Sequence, residues 1–182
     1  MRFGIYAIVF AIALPAVAEE ALDSDPGGTL NPDEMTWQTF RDRALRGEAD
    51  MVLCSQGYLM TKSGDHETAR ILFETCAEQG WTGAMTWMSQ LDNNGLGGAY
   101  DPDASAEWDR RAAELGDPVG KFNYGLDLLR GHGVPQDLEQ GRALVDEAAA
   151  DGLAIAERLK RADYDLDVVT PDADNWKYGP LF

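Results

Sequence analysis

The chain has 182 residues, one domain's worth, and its 45% apolar content is enough for a packed core. Thirty-two acidic residues against 15 basic ones leave a net charge of −17, which weighs against nucleic acid or an anionic membrane surface as partner. Two cysteines and two histidines leave little material for a metal centre.

Residues 1–18 read as a secretory signal. Arg2 is the charged start, an apolar run follows to Leu14, and Ala16-Val17-Ala18 is a small-x-small cleavage site. The run is about 12 residues, short of the roughly 20 that a membrane span needs. The layout looks bacterial and predicts export to the periplasm with no stable membrane insertion after cleavage; the alternative is an uncleaved anchor. Residues 19–30, with Ser24-Asp25-Pro26-Gly27-Gly28, have no periodicity and form an acidic linker. Asn31, Pro32, Asp33 and Glu34 signal a helix start. Met35, Trp37, Phe40, Ala44 and Leu45 then recur at helical spacing until Gly47.

Repeats follow. Gly47, Gly80, Gly116 and Gly152 stand 33, 36 and 36 residues apart, the last three each preceded by a short run rich in small residues. A fixed period of this size means stacked supersecondary units. Each unit reads as helix, turn, helix: about 49–61 and 67–78, then 83–91 and 102–115, then 118–129 and 138–150, with an unpartnered helix at 153–164. The fold class is all-α, a short right-handed solenoid of about three helix pairs with capping helices over 31–164, followed by a tail at 165–182.

Units two and three match position by position. Ala84 pairs with Gly120, Ser89 with Gly125, Ser105 with Gly141 and Ala112 with Ala148, small residues that let backbones approach. Gly95 and Gly97 pair with Gly131 and Gly133, turn positions that want positive φ. Asp101 pairs with Asp137, each placed to cap a helix. Trp108 pairs with Leu144 to fill the gap between units.

Gly131-x-Gly133-Val134-x-x-Asp137, with Ala112-Ala113-x-x-Gly116 and its equivalents, resembles the Sel1-like repeat family, bacterial relatives of tetratricopeptide repeats. The resemblance spans roughly 48–158. Unit two has Gly98 in place of the valine, and unit one lacks the Gly-x-Gly turn and looks closer to a plain tetratricopeptide unit. The resemblance implies a secreted bacterial scaffold built of structural residues. If the first helix pair folds back near Gly64 and Asp65, Cys54 and Cys76 come level on facing helices; a disulfide is then expected, as in related envelope proteins, and two buried free thiols are the alternative.

No catalytic grouping emerges. His66 and His132 sit in separate turns, and neither has ligand spacing. Asp92-Asn93-Asn94-Gly95 and Asp101-Pro102-Asp103 hint at calcium without its full oxygen loop. Gly-x-Ser-x-Gly is absent, and Gly95-x-Gly97-Gly98 follows no strand. No enzyme activity, cofactor or metal is therefore expected.

A binding surface is what remains. In helix-pair solenoids the first helices line the concave side. Thr86, Gln90 and Asn93 fall there in unit two; Phe122, Leu126 and Arg130 fall there in unit three, unless Phe122 and Leu126 pack under the final helix. The tail carries Val168 and Val169, then Trp176, Tyr178, Leu181 and Phe182, and either caps the last helix or docks a partner through Trp176. The expected function is a periplasmic protein–protein interaction scaffold or regulator, its partner another envelope protein or peptide segment. A hydrolase of β-lactams or cell-wall material is the alternative that the resemblance brings.

Overall fold

The computed structural model describes residues 36–169. The expected signal segment, the linker, the Asn31 helix-start signal and Trp176 lie outside the described residues. Eight α-helices follow one another: α1 Trp37–Leu45, α2 Met51–Ser63, α3 His66–Glu78, α4 Thr82–Asn94, α5 Pro102–Glu114, α6 Pro118–Arg130, α7 Leu138–Ala150 and α8 Ala154–Arg161, then a 3-10 turn at Leu166–Val168. There is no strand among the described residues. Helices α2 to α7 form three pairs, and each helix packs chiefly on its chain neighbours, as a solenoid requires.

The repeat period is written in the caps. Asp65, Asp101 and Asp137 begin the second helices, each accepting a hydrogen bond from the backbone N–H three residues on, at 3.1, 3.0 and 2.9 Å. Gly80, Gly116 and Gly152 leave those helices at φ 88°, 85° and 91°, where a side chain would be strained. Gly133 has a second reason to be glycine. A Cβ there would lie 2.0 Å from the Pro102 carbonyl oxygen, so the third turn rests directly on the start of the preceding pair's second helix.

Small residues bring helices together as their phase predicts. A Cβ on Gly125 would meet the Gly141 carbonyl at 3.0 Å, and at the same phase one pair earlier the Ser89 and Ser105 hydroxyls are 3.0 Å apart. The Cys54–Cys76 disulfide is present and joins α2 to α3 with Cα atoms 5.9 Å apart. The core has two parts. One gathers Phe40, Leu53, Leu72, Phe73, Met85 and Leu91; the other gathers Phe122, Leu126, Val145, Leu159 and Val169. Val169, at the start of the tail, is thus buried against the last helices.

The element ends and one buried position add detail to this reading. The first described helix starts at Trp37, where Thr36 in extended backbone accepts from the Thr39 N–H. Helix α4 runs on to Asn94, because the Asn94 amide donates to the Gln90 carbonyl and Gly95 takes the left-handed cap. The last helix stops at Arg161, and Asp163 and Tyr164 take positive φ. The Tyr164 hydroxyl then donates to Asp146 at 2.6 Å, tying the turn to α7. Finally, Leu144 of α7 is only half-buried while its neighbour Val145 is fully buried, and in α5 the residue matching Val145 is buried Asp109, next to Trp108, which packs half-buried against the core.

Candidate functional site: a polar cleft beside an aromatic groove

That last difference builds the site. One 36-residue step apart, Phe73, Asp109 and Val145 occupy one position of the second helices, and all three are buried. On the first helices, fully buried Leu91 of α4 has Asp127 of α6 as its counterpart. Two positions that are apolar elsewhere in the repeat therefore hold carboxylates. Ser89 and Ser105 stand beside them, where the next pair has Gly125 and Gly141.

These substitutions open a cleft of about 50 Å3 between α4, α5 and α6. Asp109 is 3% exposed. Its Oδ2 accepts from the Ser89 hydroxyl, and its Oδ1 accepts from the Asn123 amide at 3.1 Å. Asp127 is 8% exposed, and its Oδ2 is buried without a hydrogen-bond partner. Burial pushes the Asp109 carboxyl well above the usual range; the Ser89 and Asn123 hydrogen bonds oppose this, and the neighbouring Asp127 charge adds to it. Burial also raises Asp127 to about 7, against the pull of Arg130.

A second hollow, of about 330 Å3, adjoins it on the α2 side and includes Met51, Tyr58, Trp81 and Trp87 in its walls. Phe73 stacks on Trp87 with centroids 5.6 Å apart, and Tyr58 meets Trp87 edge-on at 5.5 Å. Gly57 makes the room, since a Cβ there would lie 2.6 Å from the Phe73 ring. Thr86 lines both hollows, so they are neighbours separated by that one residue.

Five residues singled out in the sequence line the polar cleft: Thr86, Gln90, Asn93, Leu126 and Arg130. Leu126 offers only an edge, because it is otherwise packed in the second core cluster. Phe122 does not reach the cleft. It is 4% exposed and packed in the cluster that includes Leu159 of α8, out of a partner's reach. Trp176 lies outside the described residues. Asn93 is already engaged, its Oδ1 2.7 Å from His132 Nε2 in the next turn, so His132 links two pairs instead of standing free in solvent. The residues that sequence reasoning missed are Asp109, Asp127, Ser89, Ser105 and Asn123, with Tyr58 and Trp87. The repeat alignment itself held the signal for the acids, since it sets Asp109 against Phe73 and Val145 and Asp127 against Leu91.

Both calcium hints have structural work. Asp92 pairs with Arg70 at 2.7 Å, and Asp101 caps α5. Among the described residues no three of His, Cys, Asp and Glu gather as a metal set. No helix among them is long and apolar enough to cross a membrane.

No protein-family model matches the chain, and no curated protein does. Solved structures do. A Sel1 repeat protein from Oxalobacter formigenes superposes with a TM-score of 0.57 at 24% identity, over 69% of this chain and 96% of its own. The protective antigen c5321 of uropathogenic Escherichia coli, which displays an SLR fold, gives 0.55 at 28% identity over 69% of this chain and 28% of its own. Helicobacter pylori cysteine rich protein B gives 0.55 at 17% identity, over 67% and 90%.

Proposed function

We propose that this Sel1-like repeat protein is an interaction scaffold of the bacterial envelope that holds a partner segment along α2, α4 and α6. The observation that carries the reading is that the two hollows flank one residue, Thr86 of α4. An extended segment crossing Thr86 can place an apolar side chain against Tyr58 and Trp87 and a polar one in the cleft beyond. The exposed aromatic surface suits binding, since Tyr and Trp offer large contact area at low entropic cost. The periplasmic placement rests on residues 1–18 and on the Cys54–Cys76 disulfide, which an oxidising compartment permits.

Photo-crosslinking in intact cells tests the proposal. A photoreactive residue at exposed Gln90 and another at Tyr58 should capture one and the same protein, while exposed Glu139 on α7 should not. Equal capture from all three positions would refute a directed binding face.

A further inference from the structure

We propose that the cleft between α4, α5 and α6 is a receptor for one primary ammonium group, the head of a lysine side chain on the partner segment. This deepens the scaffold reading and rests on it.

Where α3 meets α4, buried Asp92 receives the guanidinium of Arg70 from the neighbouring helix. Where α5 meets α6, Asp109 receives only a hydroxyl and an amide, and the Asp127 Oδ2 has no donor at all. A buried acceptor left unmade is costly, and native proteins keep few. Repeat phase offers apolar residues at both positions, in Val145 and Leu91, so packing does not demand acids there. A bound donor satisfies the open oxygen and adds its charge to that of Arg130, which lines the same cleft and already draws on Asp127.

The shape selects the donor. An ammonium is compact and carries three N–H bonds. Asp109 and Asp127 are the buried acids of the cleft lining, which also includes Thr86 and exposed Gln90. Leu126 supplies an apolar edge for the last methylenes of the stem. An ammonium can turn its three N–H bonds to acceptors set at different angles, whereas a guanidinium needs them in one plane. The net charge of −17 favours a cationic partner on approach.

The test uses the full chain, 15N-labelled, at pH 8. Nα-acetyl-lysine methylamide is titrated while the Asn123 side-chain amide and the Asp109 and Asp127 backbone signals are followed. A saturable shift confined to the cleft is expected, weakened about tenfold or more by acetylating the probe's Nε, by Asp127→Asn and by Asp109→Asn. Glu114→Gln, which removes an exposed charge outside the cleft, should leave it unchanged. Equal shifts with the norleucine analogue, equal affinity for the arginine analogue, the same saturation by calcium chloride, or indifference to both aspartate variants would each overturn the assignment. Crosslinking separates this from the scaffold reading. If the probe fails while Gln90 and Tyr58 still capture a partner, the ammonium site alone falls. If the probe binds while capture is lost, the assignment to a partner's lysine falls with the scaffold.

Discussion

Between α3 and α4, Asp92 lies against Arg70, 2.7 Å from a guanidinium nitrogen, and the adjoining pair is crosslinked by Cys54 and Cys76. Between α5 and α6, Asp109 and Asp127 lie among Ser89, Ser105 and Asn123, and one carboxylate oxygen has no hydrogen-bond donor. The repeat geometry is the same in both seams, with aspartate caps and glycine exits in phase. What differs is the carboxylate's partner: Asp92 meets a guanidinium, whose Nε is itself buried without a hydrogen-bond partner, while the Asp127 Oδ2 has no donor and Arg130 draws on it through charge. The amino-terminal seam is closed and structural. The middle seam keeps an unpaired carboxylate oxygen beside a cleft.

Removing the crosslink should be the strongest blow to the closed half. Replacing Cys54 and Cys76 together by alanine frees a loop whose ends are 22 residues apart, which by chain entropy costs about 3 kcal/mol. Urea unfolding of the double variant measures it. If the midpoint hardly moves, the amino-terminal half owes its order to packing alone.

Arg70→Ala comes next. It leaves Asp92 buried without its guanidinium, and since Arg70 is itself partly exposed the loss should be about 2 kcal/mol. Adding Asp92→Leu, the residue type that Leu128 supplies one repeat later, should restore most of it. A double variant no better than the single one would mean that Arg70 acts through its bond to the Leu96 carbonyl instead.

These seams also mark where sequence reading works. Helix number, caps and exits were legible because Asp65, Asp101, Asp137 and the following glycines obey local backbone rules that no distant contact overrides. The place of Thr86, Gln90, Asn93 and Arg130 on one cleft followed from the same phase. The acids did not announce themselves. With 32 acidic residues in the chain, Asp109 and Asp127 look like surface residues until the burial of their repeat partners is known. Phe122 misled for the opposite reason: it counts as a first-helix face position, yet its side chain is buried in the cluster that also holds Leu159 of α8.

The middle seam should betray itself by its pH dependence. Asp127, raised to about 7 by burial, holds its proton in the fold at a pH where the unfolded chain has lost it. Its contribution to stability is therefore full below pH 4 and is lost as pH rises toward 7. Arg130 on its own helix opposes this shift, while Asp109 from α5, itself raised, is neighbour to the same charge. Paired surface acids such as Glu48 and Asp50 are lowered and act in the opposite sense, so the difference between chains is what counts. Asp127→Leu, the residue of Leu91, should gain about 2 kcal/mol over wild type at pH 8 and little at pH 4. An equal gain at both would place Asp127 in water.

The smallest effect is expected where the two halves meet on the surface. Arg111 of α5 reaches Glu78 of α3 at 3.1 Å and lies 4.4 Å over the Trp108 ring. Both charges are substantially exposed, so the pair gains little from Coulomb attraction and the ring adds a modest cation–π term. Arg111→Ala should cost less than about 1 kcal/mol, and half-molar salt should erase much of the difference. Thermal unfolding at two salt concentrations gives the answer. A loss of about 2 kcal/mol that salt does not touch would move the organising contrast of this solenoid from its buried carboxylates to its surface, because a solvent-facing ion pair would then weigh as much as Arg70 does in the closed seam.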